Sequence, residues 1–244
     1  MNLIIDIGNT SIKTAVFDRH HKMIYFNRSM PVTYLDDLKH LTKNYRLRHA
    51  LISMVGPQVK DLESCLKDEK ISFLYLNNRL KLPFKIAYNT PETIGADRLA
   101  LTAGAVLLTP NKHQLIIDAG TCVTYDFIDA ENVYHGGAIS PGLQLRYKAL
   151  NDYTANLPLL KPQDKIVDLI GKDTKTSIQS GVVRGLANEI EGFIVKYNLK
   201  FKPLTVYLTG GDEKVLDRYI KNKIFVSSKF LLMEGMNYIL NLNK

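Results

Sequence analysis

The segment Leu3 to Asp18 reads LIIDIGNTSIKTAVFD, and Leu115 to Asp129 repeats its construction as LIIDAGTCVTYDFID. Each copy is an apolar run ending in a carboxylate, Asp6 or Asp118, then a turn containing glycine and threonine, then a second apolar run. That pattern predicts a β-hairpin with a polar tip. A single D-x-G-x-T hairpin reads as an ordinary tight turn. Its repetition, with one residue fewer in the second turn, predicts a chain made of two halves of one design.

The chemistry of such tips points to phosphate. Glycine lets backbone N–H groups approach a ligand closely, and Asn9, Thr10 and Thr121 add side-chain donors. Lys13 adds a point charge suited to a triphosphate. Asp6 and Asp118 would repel a bare phosphate, so a cation between carboxylate and phosphate is expected. Two such hairpins facing one another would clamp a nucleotide.

The rest of the chain alternates strand and helix patterns. In the first half, strands are expected at Lys22 to Arg28, His49 to Val55 and Ile71 to Leu76, with helices at Thr33 to Asn44 and Val59 to Lys67. Thr33 with Asp36 forms a capping signal for the first of these helices. Lys81 to Thr93, punctuated by Pro83 and Pro91, reads as loop, and Gly95 to Leu108 as a buried helix opened by the charged pair Asp97 and Arg98. Thr109 to His113 is the expected hinge, giving halves at 1–112 and 113–244.

In the second half, Val133 to Ile139 reads as strand, Ser140-Pro141-Gly142 as turn, and Leu143 to about Leu150 as helix. Thr176 to Tyr197 has a long helical period with Ile178, Val182, Leu186, Ile190 and Phe193 on one side. Gly181 and Gly185 in that helix suggest close contact with another backbone. Leu204 to Leu208 reads as a strand leading into the turn Thr209-Gly210-Gly211-Asp212, Lys223 to Val226 as a short strand, and Phe230 to Leu242 as a helix.

The chemistry excluded is informative. No G-x-x-x-x-G-K-[ST] loop is present, Gly171-Lys172-Asp173-Thr174 being only a superficial echo, and no G-x-G-x-x-G follows a strand. The six histidines lack metal-ligand spacing, so magnesium is expected to arrive with a nucleotide. Two cysteines, Cys65 and Cys122, argue against a disulfide framework or zinc site and for a reducing compartment. The net charge of +8 is dispersed rather than run together, which argues against a nucleic-acid partner on charge grounds. No apolar run approaches the roughly 20 residues of a membrane span, and no signal peptide is read at the N-terminus, so a cytoplasmic location is expected.

Taken in order, DIGNTSIK at Asp6 to Lys13, the tyrosine-to-GADR stretch at Tyr88 to Arg98, DAGT at Asp118 to Thr121, GGAISPG at Gly136 to Gly142 and TGGD at Thr209 to Asp212 resemble the type III pantothenate kinases. These belong to the actin-like, Hsp70-like and sugar-kinase superfamily. The resemblance implies an α/β chain with a duplicated actin-like (ribonuclease H-like) ATPase fold, two mixed β-sheet domains flanking a nucleotide cleft. It implies ATP binding by Asp6, Ile7, Gly8, Asn9, Thr10, Ser11, Ile12, Lys13 and Thr121, and a monovalent cation, potassium or ammonium, at Asp118. Pantothenate would be held by Tyr88, Gly95, Ala96, Asp97 and Arg98, with Asp97 as proton acceptor, and by Thr174 or its near neighbour Thr176. The family forms homodimers, which would give the glycine-bearing helix a partner.

The residues themselves leave Asp97 open between catalytic base and helix cap with Arg98 as ion partner. Two other functions compete. A sugar kinase of the same superfamily would share the hairpins without needing Tyr88 or GADR. A catalytically silent regulator, as among Bvg accessory factor proteins, would use the basic charge for nucleic acid, and intact Asp6, Asp97 and Asp118 argue against that silence.

Overall fold

The structure, a computed structural model, describes residues 1–9, 11–163, 165, 167–221, 225–227 and 230–244. The candidate phosphate donor Thr10, and Lys223 and Ile224 of an expected strand, lie outside these residues. The chain divides into two units, Met1–Pro110 with Phe230–Lys244, and Asn111–Lys229.

The first unit opens with an antiparallel meander, β1 (Asn2–Ile7), β2 (Ile12–Phe17) and β3 (Met23–Ser29). Helix α1 (Tyr34–Asn44) leads to β4 (His49–Met54), and α2 (Leu62–Asp68) leads to β5 (Ser72–Tyr75). Both of these strands add in parallel, so the sheet order is β3-β2-β1-β4-β5. Every residue of β1 is buried, which is why its sequence is a continuous apolar run rather than an alternation. Tyr34, Leu38 and Leu41 of α1 and Leu62 and Leu66 of α2 pack on Leu3, Ile5, Ile7 and Ile52 of the sheet.

Two helix starts differ from expectation. Thr33 forms no side-chain cap, because its Oγ1 turns back to donate to the Met30 carbonyl at 3.2 Å. Helix α2 begins at Leu62 rather than Val59, since Asp61 has φ +61°, a left-handed conformation through which a right-handed helix cannot run. Within the expected loop, Lys85–Ile86 forms the two-residue strand β6 and Pro91–Thr93 a single 3₁₀ turn. Helix α3 (Ala96–Leu108) follows, buried from Arg98 to Val106.

The second unit repeats the plan. β7 (His113–Ala119), β8 (Cys122–Ile128) and β9 (Val133–Pro141) form an antiparallel meander. Helix α4 (Leu143–Asp152) follows directly, the strand having run on through Ser140 and Pro141, which pair with Val123 and Cys122 instead of forming a separate turn. The long helix begins as α5 (Thr174–Gln179), passes through a π turn at Ser180–Arg184 and continues as α6 (Gly185–Lys200). β10 (Leu204–Thr209), α7 (Glu213–Leu216) and β11 (Phe225–Ser227) complete the unit, with β10 and β11 parallel to β7.

Within this unit the order is β11-β10-β7-β8-β9, the order and strand directions of the first sheet. The repetition seen in two hairpins thus extends to two whole mixed sheets. Ile178, Val182, Leu186 and Ile190 of the long helix pack on Leu115, Ile117, Tyr125 and Val206, the side its period predicted.

The last helix, α8 (Leu231–Asn243), packs with the first unit against α3. A Cβ on Gly235 would stand 1.9 Å from the Ala100 carbonyl oxygen, and one on Gly104 would stand 2.3 Å from that of Leu231. The small residues of α3 therefore serve backbone-to-backbone packing. Asn237 and Asn241 of α8 also accept hydrogen bonds from Asn2 of β1, at 2.7 and 3.0 Å.

Candidate active site

The first tip is built at the end of β1. In the ladder Asp6 lies opposite Lys13 on β2 and Ser53 on β4, so one carboxylate has a cation on one side and a hydroxyl on the other. Lys13 Nζ reaches Asp6 Oδ2 at 3.0 Å, and Ser53 Oγ donates to Asp6 Oδ1 at 2.9 Å. Asp6 is 3% exposed, and a buried carboxylate is tolerable only with this kind of pairing on both oxygens. Within the fold, Lys13 thus stands as the cation paired with Asp6. Beyond it the Gly8 N–H donates to Ser11 O at 3.1 Å, and the N–H groups of Val55 and Gly56 both donate to Ile7 O. Asn9 is exposed, with Gly8 and Ser11 half-buried beside it; Ile7 and Ile12 are buried below.

The second tip stands at the corresponding place in the other sheet. The ladder partners of Asp118 are Thr124 on β8 and Thr209 on β10, neutral hydroxyl residues where Asp6 has a lysine and a serine. The Gly120 N–H donates to Cys122 O at 3.0 Å, leaving Thr121 and Cys122 exposed. Two glycines press on this tip. Gly142 donates its N–H to Thr121 O at 3.0 Å, and a Cβ there would lie 2.1 Å from Gly120 O. Gly210, at φ +106°, leaves a Cβ no room either, with Ala119 O at 2.3 Å and Asp118 Oδ1 at 2.6 Å.

Asp212 completes the arrangement by donating its N–H to Ala119 O at 2.9 Å. Burial raises the pKa of its carboxyl, against the opposing effect of the Leu143 N–H bonded to it. The TGGD turn is therefore part of the second tip.

The GADR stretch forms the start of α3. Gly95 is the N-cap, and Asp97 accepts from the Arg98 N–H at 2.8 Å, so its carboxylate lies at the positive end of the helix. Arg98 is 6% exposed, its guanidinium carbon 5.9 Å from the centre of the Tyr88 ring. Tyr88, Gly95, Ala96, Asp97 and Arg98 are thus brought together within the first unit.

Thr174 and Thr176 have different surroundings. Thr176 is committed to a capping box: its N–H donates to Asp173 Oδ1 at 2.8 Å, and its Oγ1 accepts from the N–H groups of Lys172 and Asp173. Thr174 lines a cavity of about 770 Å³ with Arg146, Leu150, Leu157, Ile178 and Gly181. Ser177, in the same first turn, lines the same cavity.

Some site residues were not anticipated. Ser53 ends the apolar run HALIS as Asp6 ends LIID, a parallel that points to it once β4 is placed beside β1. Arg146 and Glu189, 43 residues apart and bonded at 2.5 Å, carry no local signal. Among the described residues no three His, Cys, Asp or Glu side chains gather to hold a metal ion, and no helix is long and apolar enough to cross a membrane.

The family model described as type III pantothenate kinase matches residues 2–196. The chain is also 46% identical over 248 residues to a type III pantothenate kinase of Christiangramia forsetii, covering 100% of this chain and 99% of that protein. This chain belongs to the type III pantothenate kinase family. Solved structures agree on the fold of this type III pantothenate kinase family member. A Baf family protein from Campylobacter jejuni superposes with a TM-score of 0.63 at 22% identity, covering 98% of this chain and 97% of that one. A ROK family glucokinase from Streptomyces griseus, in complex with glucose and AMPPNP, superposes with a TM-score of 0.51 at 13% identity, covering 99% and 98%. The duplicated sheets are accordingly those of the actin-like and sugar-kinase fold.

Proposed function

We infer that this kinase phosphorylates the primary alcohol of pantothenate with ATP, giving 4′-phosphopantothenate, the first step toward coenzyme A. The observation that carries the substrate is the grouping at the start of α3, a buried Arg98 under the Tyr88 ring with Asp97 next to it. Arginine's planar fork matches a carboxylate, and pantothenate carries one carboxylate and one primary hydroxyl. A sugar offers no carboxylate for Arg98.

Phosphoryl transfer is mainly positioning and charge neutralisation. Backbone and side-chain donors of Asp6 to Lys13, with Thr121, hold the phosphates of ATP, and magnesium enters with the nucleotide. Asp97 takes the proton of the attacking hydroxyl while Arg98 and Tyr88 orient the substrate. Thr174 is the contact offered by the long helix.

A monovalent cation, potassium or ammonium, fits at Asp118. The ladder neighbours of that carboxylate are Thr124 and Thr209, whereas Asp6 has Lys13, so the second tip is the one that lacks a cationic ladder neighbour. The donors present, a carboxylate, hydroxyls and backbone carbonyls, are hard oxygens suited to such an ion. When bound, the ion would offset the repulsion between Asp118 and phosphate.

The chain acts as a homodimer through the long helix. Gly181, Gly185, Asn188, Gly192, Val195 and Leu199 recur at helical spacing and are all exposed. Apart from the helix's own backbone and neighbouring residues, no described atom lies within 4 Å of where a Cβ would stand on the three glycines, so the close backbone contact they suit is not made among the described residues. A self-complementary stripe gives a closed two-fold pair. The free thiols Cys65 and Cys122 suit the reducing cytoplasm in which ATP is available.

The test is direct. Purified protein with ATP, magnesium and potassium should yield 4′-phosphopantothenate, and no product, or equal turnover of a simple hexose, would refute the assignment. Asp97→Asn should lower kcat by roughly 10²–10⁴ with little change in KM, while Arg98→Lys should chiefly raise the KM for pantothenate. A monomeric mass by light scattering at micromolar concentration would refute the dimer, and equal rates in sodium and potassium buffers the cation.

A further inference from the structure

Arg146, on α4, reaches in two directions. Its Nε donates to Pro141 O at 2.8 Å and its Nη2 to Ser140 Oγ at 2.8 Å, both at the end of β9. The same Nη2 donates to Glu189 Oε2 on α6 at 2.5 Å, and the other Glu189 oxygen accepts from Tyr125 OH at 2.9 Å. The two charged side chains are only 22% and 27% exposed. An ion pair this covered keeps its geometry better than a surface pair, and its bonds act on a defined piece of backbone.

That backbone leads to the second tip. The residue after Pro141 is Gly142, whose N–H donates to Thr121 O. The next N–H, of Leu143, is bonded to Asp212, which itself donates to Ala119 O. Hydrogen bonds and three residues of chain therefore connect Glu189 to both sides of the Gly120-Thr121 turn.

We propose that Arg146 and Glu189 are positioning residues for the second phosphate-binding tip, fixing Thr121 through the Ser140-Pro141-Gly142 segment without touching the nucleotide. This rests on the reading that Thr121 binds an ATP phosphate. The guanidinium matters because its Nε and Nη2, fixed relative to each other, meet a carbonyl, a hydroxyl and a carboxylate, a spread of donors that an ammonium's single nitrogen does not match. Because the two side chains act in series, removing both should cost no more than removing Arg146 alone.

The experiment measures kcat, both KM values and the melting temperature for Thr121→Ala, Arg146→Lys, Arg146→Met, Glu189→Gln and the double variant Arg146→Met/Glu189→Gln. Arg146→Met should raise the KM for ATP about tenfold while that for pantothenate stays within about twofold. Glu189→Gln should raise it about threefold, the double variant should match Arg146→Met within about twofold, and Arg146→Lys should not restore it. If Arg146→Met does not fold, the near-isosteric Glu189→Gln decides alone. An unchanged ATP KM in Thr121→Ala would remove the phosphate reading and this proposal with it. A raised ATP KM in Thr121→Ala, with Arg146→Met and Glu189→Gln altering only the melting temperature, would overturn the positioning role alone. A rise confined to the pantothenate KM would overturn it too, by making Arg146 a substrate contact.

Discussion

Replacing Gly210 by alanine tests how tightly the second tip is built. Gly210 has φ +106°, a backbone conformation that costs a residue with a Cβ about 1–3 kcal/mol. Its Cβ would also stand 2.3 Å from Ala119 O where ordinary contact begins near 3.4 Å, a deficit of 1.1 Å. Ala119 cannot retreat freely, since it is fully buried in β7, pairs with Val123, and its carbonyl accepts from the Asp212 N–H. Overpacking of this sort costs a further amount of about 1–3 kcal/mol. Taking about 3 kcal/mol for the two effects together, and 2–4 °C per kcal/mol for a chain of this size, the melting temperature should fall by roughly 6–12 °C.

The functional consequence follows from the same contact. Asp118 Oδ1 lies 2.6 Å from the new methyl, so the carboxylate must move. The half-saturating potassium concentration and the KM for ATP should both rise, with the KM for pantothenate unaffected. Gly211→Ala is the control, because nothing lies within 4 Å of its Cβ position and its φ is not positive. The assay is calorimetric melting together with potassium titration of initial rates. A melting temperature for Gly210→Ala within 2 °C of that of Gly211→Ala, with the same potassium dependence, would show that the tip yields freely and that the reasoning from contact distance fails (both figures scaled roughly from the size dependence of melting).

Three further expectations can be checked with the same preparations. Thr174→Val should raise the KM for pantothenate without altering stability, while Thr176→Val should lose about 0.5–2 kcal/mol of stability through its capping box and leave that KM unchanged; the reverse pattern would exchange their roles. Ser53→Ala leaves Asp6 Oδ1 without its hydroxyl donor in a buried place, and urea unfolding should report a loss of about 1–3 kcal/mol. For Glu189, burial acts to raise the pKa, but hydrogen bonds from Arg146, Ser140 and Tyr125 outweigh it and hold the carboxyl below its ordinary value. Its stabilising contribution is therefore complete above the unfolded value of 4.5 and is lost as pH falls through the lower folded value, so the stability difference between wild type and Glu189→Gln should shrink on acidification below 4.5.

Much of this fold could be read before any coordinates because it is written in local patterns. LIID-x-G marks the end of a buried strand wherever it occurs, since an apolar run must stop where a carboxylate needs partners. The period of Ile178, Val182, Leu186 and Ile190 places one side of the long helix on the sheet regardless of what the π turn at Ser180–Arg184 does to its other side. What could not be read is set by partners distant in the chain or by single dihedral angles. Thr33 looked like a cap but spends its hydroxyl on Met30, and nothing near residue 59 announces that Asp61 will take a positive φ.

The site divides along the same line. Its chemistry-bearing residues were visible as motifs, but which carboxylate has a lysine as its ladder partner was not, because Asp6 and Asp118 have similar sequence surroundings. The ladder separates them. Lys13 lies opposite Asp6 because the residue sits one position after Ile12, the last pair before the turn, while the equivalent position after Val123 carries Thr124. One substitution on the second strand of a duplicated hairpin thus leaves the first tip with a lysine and the second with a hydroxyl. A duplicated fold can in this way provide two unlike electrostatic environments from nearly the same backbone, one carboxylate with a lysine as its ladder partner and the other with threonines. Thr124→Lys probes that division: a lysine opposite Asp118 should lower the dependence of the rate on potassium, and an undiminished requirement would mean that ladder position does not govern where the cation is needed.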